Sequence, residues 1–299
     1  MPELPEVEII RTSLARDCVG RKFKLATVTT ARCVKRNKNA KDFKTLLEGH
    51  SVKAVQRLGL NVLFALDNGT TLVIDLGSSA QLLRCDAKTP KIKNTHVVLS
   101  FTQGPELRLI DASSDSELYV STPPGEGVEV EISKFARLSV GGDGLALRKQ
   151  IAELAGLGVD PLEDQIGWDR FAAIIRSRST ALKAVLTDPA IFSGIGDMYA
   201  DEMLYAAALM GDRESESLST IEIRRLHRAI FEILNDALKH GGTTLEGGTF
   251  SDPDGKAGSY QTLLQVYGRE GLPCFQCRQP IVKGEQGQRS TYFCPKCQG

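Results

Sequence analysis

Met1-Pro2-Glu3-Leu4-Pro5-Glu6-Val7-Glu8 is the stretch around which the chain is organised, with two prolines and three glutamates ahead of a helical pattern. Proline is favoured at the first position of a helix, where its missing N–H costs nothing. Acidic residues in the first turn complement the positive end of the helix dipole. Val7, Ile10 and Leu14 then recur at helical spacing. The stretch therefore predicts a helix over residues 5–16 with one apolar face.

The same stretch also admits a chemical interpretation. If Met1 is removed, the α-nitrogen of Pro2 becomes a secondary amine, and α-amines titrate near pH 8, roughly two units below lysine. Such an amine is partly neutral at physiological pH and can form a Schiff base. Glu3 lies beside it and can move protons. Taken alone, these eight residues are compatible with a plain helix start and with a catalytic pair.

Composition restricts the possible partners. The 299 residues predict two domains with an ample core. Lys plus Arg and Asp plus Glu number 37 each, so any basic surface must be local. No run of about 18 apolar residues occurs, so no membrane-spanning helix is predicted. The acidic start lacks the regions of a signal peptide, so a cytoplasmic (bacterial cytosol or nucleoid) protein is expected.

After Gly20 the apolar pattern changes from helical to strand-like. Short segments rich in Val, Leu and Phe predict strands over residues 23–29, 51–58, 61–66, 70–76, 96–101 and 107–111. Asp67-Asn68-Gly69 predicts a hairpin turn. The basic segment 32–44 is interpreted as a solvated loop, with a phosphate contact as the alternative. One helix followed by many short strands predicts an α+β domain with a sandwich or barrel.

The second half of the chain has a helical pattern. A Pro- and Gly-rich region over residues 121–146 predicts a domain boundary. Beyond it, Asp169 and Asp197 are predicted helix caps, and Ser219 with Glu222 forms a predicted capping box. Segment 247–259, rich in glycine, is predicted to be a mobile loop. The predicted organisation is an N-terminal domain (1–135), a hinge (136–150), a helical domain (151–262) and a C-terminal module (263–299).

Four of the seven cysteines have the spacing of a metal site. Cys274-x2-Cys277-x16-Cys294-x2-Cys297 forms two knuckles, and four thiolates suit tetrahedral, structural zinc. One zinc ion per chain is expected. Such ribbons also serve as protein-binding or purely stabilising modules. The scattered Cys18, Cys33 and Cys85 are expected to be buried or free thiols.

A glycine-rich turn, Gly194-Ile195-Gly196, precedes a predicted helix start at Asp197. Backbone N–H groups at such a turn can bind phosphate. An ordinary turn between helices is the alternative, and the glycines alone do not decide between them.

Five motifs in one order resemble the formamidopyrimidine-DNA glycosylase and endonuclease VIII family of base-excision repair enzymes. They are the N-terminal stretch, Gly-Ile-Gly-Asp-Met-Tyr-Ala at 194–200, Gly-Gly-Thr-Thr-Leu at 241–245, Gln-Val-Tyr-Gly-Arg at 265–269 and the four-cysteine finger. The resemblance covers essentially the whole chain. It implies an N-terminal helix plus β-sandwich domain, a helix–two-turn–helix domain and a C-terminal zinc finger. It further implies that DNA lies in a basic cleft between the lobes with the damaged nucleotide flipped into a pocket.

The resemblance also implies residue roles. Pro2 would attack C1′ of the damaged nucleoside, Glu3 would be the general acid/base, and Glu6 would support this N-terminal site. Arg289, in Gln-Arg-Ser-Thr-Tyr-Phe, would hold the phosphates of the lesion. β- and then δ-elimination would cut the strand on both sides.

Further positions match the DNA-facing side of the family. Asn94 stands where a histidine is usual, and Asp197 where a phosphate-binding asparagine is usual; Asp197 serves alternatively as a helix cap only. Lys183 and Tyr199 match positions near DNA, with a solvated or packing role as the alternative. Both interpretations of these residues remain open at this point.

Further departures lie on the DNA side of the implied site. Leu60 stands where the family usually has a catalytic lysine, and leucine can transfer no proton and hold no phosphate. Ser78 replaces the methionine that fills the void left by the flipped base. The loop Asp111-Ala112-Ser113-Ser114-Asp115-Ser116 lacks the intercalating arginine and phenylalanine. Because those groups offset an unstacking cost of a few kcal/mol, poor extrusion from intact duplex is expected.

The resulting prediction is a monomeric, bifunctional DNA glycosylase and AP lyase with altered lesion preference and weak 8-oxoguanine excision. Its expected partners are damaged duplex, abasic-site or single-stranded DNA, and no membrane. The alternative is a catalytically reduced DNA-binding or scaffold paralogue.

Overall fold

The computed structural model describes residues 2–139, 142–248, 250–287 and 289–299. Met1, whose removal the catalytic interpretation requires, and residues 140–141 of the predicted hinge lie outside them. The chain divides into two compact units. The first comprises Met1–Val130, Lys149–Leu154 and Leu238–Gln261, and the second comprises Glu131–Arg148, Ala155–Ala237 and Thr262–Gly299.

Helix α1 (Leu4–Cys18) confirms the predicted N-terminal helix and starts one residue earlier. Glu3 is its N-cap, and a capping box joins Glu3 and Glu6, each side chain accepting from the backbone N–H of the other. A proline lies in its first turn, as expected from its fixed φ. The face bearing Val7, Ile10 and Leu14 is buried in the core of the first unit.

The described part of the first unit contains two four-stranded antiparallel sheets. One sheet has the order β1-β6-β7-β5 and the other β2-β3-β4-β8. The strands are β1 (Phe23–Val28), β2 (Val52–Leu58), β3 (Asn61–Leu66), β4 (Thr71–Asp75), β5 (Gln81–Cys85), β6 (Thr95–Phe101), β7 (Glu106–Ile110) and β8 (Glu117–Ser121). Their inward apolar residues form one core with α1, which confirms the predicted helix and β-sandwich domain.

All six predicted strands are present, and two further strands were not predicted. Strands β5 and β8 are five-residue edge strands, each paired on one side only. Only one of the five residues of β5 is buried, so its apolar alternation is weak, whereas β8 buries four of its five residues. The hairpin at Asp67-Asn68-Gly69 is confirmed: Gly69 has φ 83° and Leu66 N donates to Thr70 O at 2.9 Å.

The interpretation of segment 32–44 as a solvated loop is wrong in part. Residues Ala31–Val34 form a 3₁₀ turn, and helix α2 (Ala40–Leu47) begins after an N-cap, Asn39. Phe43 and Leu47, one helical turn apart, are both buried in the sandwich core. Burial of these two side chains stabilises the helix despite the surrounding lysines.

Helices dominate the second unit. They are α3 (Gly144–Gln150), α4 (Trp168–Ile175), α5 (Leu182–Leu186), α6 (Asp197–Ala206) and α7 (Thr220–Lys239), of which α3 and α7 run into the first unit at their ends. The predicted capping box of α7 is confirmed, because Ser219 N donates to Glu222 Oε2 at 2.8 Å and Glu222 N donates to Ser219 Oγ at 3.3 Å.

The predicted caps at Asp169 and Asp197 are wrong. Gly167 and Gly196 occupy the N-cap positions of α4 and α6, and each aspartate lies in the first helical turn. A carboxylate there still interacts favourably with the helix dipole. None of the helices within the described ranges has the length and hydropathy of a membrane span.

The C-terminal module is a hairpin of β9 (Val282–Gln286) and β10 (Arg289–Phe293) beside the four cysteines. The strands pair antiparallel, with Arg289 opposite Gln286 at the turn end.

Candidate functional site

The start of the chain is held by one buried carboxylate. Pro2 is buried, and Glu3 and Glu6 are 5% and 1% exposed. Glu6 Oε2 accepts from Glu3 N at 2.9 Å, and Glu6 Oε1 accepts from Thr243 N at 2.8 Å. Both oxygens therefore bind backbone N–H groups, which places the Pro2–Glu3 peptide against the loop at 241–243.

That loop depends on glycine at one position. Gly242 has φ +78°, and a Cβ there would lie 2.9 Å from Glu6 Oε1 and 3.0 Å from a ring carbon of Phe250. A side chain at this position would thus displace the carboxylate that holds the N-terminus. The paired glycines of Gly-Gly-Thr-Thr-Leu are the only sequence signal for this contact, and sequence analysis assigns Thr243 no role.

A second carboxylate, Glu8, joins α1 to β2. Arg57, 2% exposed, donates from Nε to Glu8 Oε2 at 2.9 Å and from Nη1 to Gly59 O at 3.0 Å. Burial alone would raise the pKa of Glu8, but the hydrogen bond from Arg11 and the charge of Arg57 lower it below its ordinary value. The ion pair is therefore charged at neutral pH. No local sequence pattern indicates this role of Arg57, because its partner lies 49 residues away.

Two loops of the sandwich are joined by what we term the serine–aspartate clasp (Ser78, Ser79, Asp111, Ser113, Asp115 and Ser116). Asp111 is fully buried; its Oδ2 accepts from Ser116 N at 2.9 Å, and its Oδ1 accepts from the hydroxyls of Ser113 and Ser79 at 2.9 and 3.1 Å. Asp115 accepts from Ser78 N at 3.0 Å. The clasp occupies two of the segments in which the sequence departs from the family pattern.

The clasp is anionic at neutral pH. Burial would raise the pKa of Asp111, but hydrogen bonds from Ser116 and Ser113 lower it well below the ordinary range. Burial would also raise the pKa of Asp115, but hydrogen bonds from Ser113 and Ser78 outweigh that effect and lower it. The clasp thus presents two carboxylates and several hydroxyls, with neither a cation nor an aromatic ring among its members.

Two further family positions lie beside it. Asn94 is half-buried in a left-handed conformation (φ 63°), and its carbonyl accepts from Asp111 N at 3.0 Å. His96 Nε2 lies 2.7 Å from Asp111 O, and His96 Nδ1 lies 2.7 Å from Thr30 Oγ1. Leu60, at the β2–β3 turn, packs against the sandwich core. Asn94 therefore has a backbone role in holding the clasp loop.

In the second unit, Lys183 and Asp201 form a buried ion pair. Both side chains are 1% exposed, and Lys183 Nζ donates to Asp201 Oδ1 and to Ser290 O, each at 2.7 Å. Asp201 also accepts from Tyr292 N at 2.8 Å. These contacts fasten α6 to β10. Tyr199, on the same helix, is fully buried. The burial of Lys183 and Tyr199 favours the packing alternative.

Arg289 lies at the exposed edge of the same contact. Its Nη1 is 3.3 Å from Asp197 Oδ1 and 3.4 Å from Oδ2, with side-chain exposures of 50% and 34%. Lys183 Nζ is 3.7 Å from Asp197 Oδ1. The structure thus brings together three of the residues singled out from the sequence.

A third carboxylate of α6 anchors the segment before the finger. Glu202, 1% exposed, accepts from the backbone N–H groups of Gln265, Val266 and Tyr267 at 2.8, 2.9 and 2.9 Å. Burial raises its pKa, and the three N–H donors offset part of that rise. Sequence analysis missed both Asp201 and Glu202, because an acidic pair on a helix is ordinarily solvated.

The four finger cysteines converge as predicted. Their Sγ atoms all lie within 4.8 Å of one another, with Cys274–Cys297 at 3.8 Å and Cys277–Cys294 at 3.4 Å. Sulfurs bound tetrahedrally to zinc are about 3.8 Å apart, given Zn–S bonds of about 2.3 Å. The donor set and spacing therefore fit a closed, structural zinc site.

The four thiols influence one another's ionisation. Burial and crowding by the other cysteines raise the pKa of Cys297 to about 12. Burial alone would raise the pKa of Cys274, but hydrogen bonds from Tyr205 and the backbone lower it to about 6. Four such sulfurs need a cation to ionise together. The remaining cysteines, Cys18 and Cys33 (buried) and Cys85 (half-buried), are free thiols, as predicted.

Three family profiles match the chain in order. They are the formamidopyrimidine-DNA glycosylase N-terminal domain at residues 1–114, the formamidopyrimidine-DNA glycosylase H2TH domain at 157–248, and a zinc finger found in FPG and IleRS at 271–299. The chain is 34% identical to a formamidopyrimidine-DNA glycosylase of Pelotomaculum thermopropionicum over 298 residues, covering 100% of this chain and 99% of the relative. That of Herpetosiphon aurantiacus is 35% identical over 300 residues, covering all of both.

Solved structures of Fpg proteins are also similar to this chain over nearly its whole length. MutM (Fpg) from Thermus thermophilus has a TM-score of 0.81 at 31% identity, covering 99% of this chain and 98% of that one. Lactococcus lactis Fpg in complex with DNA containing an abasic site has a TM-score of 0.81 at 27% identity, covering 99% of each chain. Its complex with DNA containing N7-benzyl-Fapy-dG has a TM-score of 0.82 at 26% identity, with the same coverage.

Proposed function

The chain belongs to the formamidopyrimidine-DNA glycosylase family, and from this premise we propose that its buried N-terminal stretch is the catalytic centre of a DNA repair enzyme. Its enzyme class is that of the family, a bifunctional DNA glycosylase and AP lyase with a four-cysteine zinc finger. The observation that carries the proposal is that Glu6 accepts two backbone hydrogen bonds. One of its carboxylate oxygens binds the Glu3 N–H of the Pro2–Glu3 peptide, and the other binds the Thr243 N–H.

In the proposed reaction the neutral amine of Pro2 attacks C1′ of the damaged nucleoside, once Met1 is removed. The new C–N bond forms as the bond to the base breaks, and the base leaves with the electron pair. The Glu3 carboxylate takes the proton from the now cationic Pro2 nitrogen and passes it to the sugar ring oxygen, so that the ring opens as the nitrogen lone pair forms the C=N bond of the iminium ion. The iminium acidifies the C2′ proton, so its removal expels the 3′ phosphate, and a second elimination expels the 5′ phosphate. Water finally hydrolyses the iminium and releases the enzyme.

Arg289 is the proposed phosphate ligand, because it is half-exposed and ends in a cationic fork suited to phosphate. Solved Lactococcus lactis relatives hold DNA with abasic or Fapy lesions. We extend that ligand class, damaged duplex DNA, to this chain. Asn94 and Asp197 stay proposed DNA-side residues, whereas Lys183 and Tyr199 are proposed to have the packing role that their burial favours. The zinc ion would be held by the four cysteines and would stabilise the hairpin that carries Arg289.

The clasp supports an altered lesion preference. Its two carboxylates, whose pKa values are lowered, lie in the segments where the family resemblance implies wedge residues, and Leu60 has no proton to transfer. Extrusion from intact duplex costs a few kcal/mol, which the clasp does not offset. We therefore propose abasic sites, bubble DNA and poorly stacked lesions as preferred substrates, and weak excision of 8-oxoguanine opposite cytosine.

The test is borohydride trapping on DNA with an abasic site. The wild-type chain is expected to give a covalent adduct, because borohydride reduces the iminium to a stable amine. Pro2→Gly replaces the secondary amine with a primary amine that lacks the pyrrolidine ring, and the adduct is expected to be strongly reduced. Glu129→Gln, at an exposed position of the first unit, is the matched control and should trap like wild type.

Absence of an adduct on both duplex and single-stranded abasic DNA would overturn the proposed chemistry. If DNA still bound, indifferent to Glu3→Gln, the chain would instead be a DNA-binding paralogue. The anionic clasp and Asp197 are the features that favour this second function.

A further inference from the structure

The Arg289 guanidinium lies near the N-terminus of helix α6, an arrangement suited to binding an anion. The anion that it contacts is the carboxylate of Asp197. Asp197 is the first residue of the ten-residue helix α6, where backbone N–H groups and the helix dipole favour negative charge. The Arg289 guanidinium approaches from β10, with Nη1 at 3.3 and 3.4 Å from the two carboxylate oxygens. A helix N-terminus and an arginine are the parts of a phosphate site, and here the carboxylate of the first helical residue contacts the arginine.

Lys183 and Arg289 both lie near Asp197, and Arg289 is the one whose charge is available to pair with it. Lys183 is only 3.7 Å from Asp197, but its ammonium group is buried and donates at 2.7 Å to Asp201 and to Ser290 O. Its charge is therefore already balanced by Asp201. Arg289 and Asp197, by contrast, are 50% and 34% exposed, so solvent and ligands reach both.

The contact is also weak enough to be displaced. A single guanidinium nitrogen approaches both carboxylate oxygens at 3.3 and 3.4 Å, which is longer than the 2.7–2.9 Å usual for charge-assisted bonds. Exposed ion pairs of this kind contribute little to stability. A phosphate with a better fit to the guanidinium fork would therefore replace the carboxylate.

We propose that Asp197 is a specificity-determining residue that competes with DNA phosphate for Arg289. In the free protein the Asp197 carboxylate is paired with the Arg289 guanidinium. A DNA phosphate binds that guanidinium only by displacing the carboxylate. The displaced carboxylate then stays close to the phosphate, which lowers affinity and reduces the net release of counterions. This inference rests on the proposed function for its ligand, DNA, but not on the catalytic chemistry.

The test measures binding of a duplex that carries a tetrahydrofuran abasic analogue, which has no C1′ leaving group and cannot react. Anisotropy titrations over a salt series compare wild type with Asp197→Asn. The variant is expected to bind about two- to fivefold tighter, the range of an exposed ion pair. The slope of log K against log salt should steepen by up to about 0.9, as for one more neutralised phosphate.

Glu232→Gln is the matched control, because Glu232 forms an exposed ion pair with Arg228 at 2.7 Å on α7 of the same unit. It removes one negative charge without touching Arg289 and should leave affinity and slope unchanged. In an Arg289→Ala background, Asp197→Asn should give no gain, since the competition requires the guanidinium.

Weaker binding of Asp197→Asn, an equal gain in Glu232→Gln, or a gain that persists without Arg289 would each overturn the proposal. These outcomes are separate from borohydride trapping. A chain that fails to trap but binds tighter as Asp197→Asn would refute the catalytic proposal and support this one. A chain that traps normally without the binding gain would do the reverse.

Discussion

At the residue scale, the N-terminal site depends on a contact between a carboxylate and a glycine. Glu6 Oε1 lies against Gly242, where an added Cβ would be 2.9 Å away and where φ is +78°. Gly247, in the same segment, has φ +69° and nothing within 4 Å of an added Cβ. The two glycines therefore separate the cost of backbone conformation from the cost of displacing Glu6.

We expect Gly247→Ala to lose about 1 kcal/mol of unfolding free energy, because alanine is strained at positive φ. Gly242→Ala should lose more, because its methyl group also displaces Glu6. Only Gly242→Ala should also slow borohydride trapping, roughly tenfold or more, since the shifted carboxylate no longer holds the Glu3 N–H. Chemical denaturation and trapping rates measure the two effects. Equal trapping by both variants would contradict the role given to Glu6.

At the element scale, α7 begins with a charged capping box. Glu222 accepts from Ser219 N and is also paired with Arg213. The hydrogen bonds from Arg213 and Ser219 lower its pKa from 4.5 to about 2. Because the folded-state pKa is the lower one, this stabilisation is complete above about pH 4.5 and is lost as the pH falls towards 2.

Glu222→Gln should therefore lower Tm at pH 7, and the difference from wild type should shrink below pH 4.5 and vanish near pH 2. Melting curves across this range measure it. Glu216→Gln, an exposed carboxylate before the helix, controls for loss of a charge. A difference that stays constant with pH would mean that the ionised carboxylate is not the stabilising form.

The zinc finger is the second element whose stability can be tested. Four sulfurs within 4.8 Å of one another are expected to bind one zinc ion per chain. Cys294→Ser should reduce the zinc content well below one and weaken DNA binding, because Arg289 lies on the hairpin that the metal holds. Cys85→Ser, at a free and half-buried thiol, should keep one zinc. Elemental analysis of the purified chains provides the measurement.

At the scale of the whole molecule, formal charges balance and net charge is zero. Affinity for DNA must then come from local cations such as Arg289, whereas the clasp and Asp197 add local negative charge. Such a protein gains little from non-specific attraction to the backbone. Its substrate selection is expected to follow how readily the damaged nucleotide leaves the helix.

Trapping on 8-oxoguanine in a bubble should therefore be roughly tenfold faster than on the same lesion in intact duplex, since about 1.4 kcal/mol of unstacking is a factor of ten. Parallel single-turnover assays on the two substrates measure the ratio. The control variant Glu129→Gln should leave this ratio of rates unchanged. Faster reaction on the duplex would mean that another group performs the extrusion.

Much of the fold could be predicted from local patterns. The apolar face of α1, six strands, the hairpin at Asp67-Asn68-Gly69, the capping box of α7 and the four-cysteine spacing all depend on residues close in sequence. The two missed strands, β5 and β8, lie at sheet edges. The wrong caps at Asp169 and Asp197 arise because glycine at the N-cap leaves the aspartate one or two positions inside the helix.

The sequence by itself determined the family, the fold class and the residues Pro2, Glu3 and Glu6 as candidates, because these rest on spacing and order along the chain. Only the tertiary structure decided what those residues contact. Glu6 meets Thr243 across 237 residues, Arg289 meets Asp197 across 92, and Lys183 is buried against Asp201. Hydrogen bonds of this kind depend on how distant segments pack, and no local pattern encodes that packing.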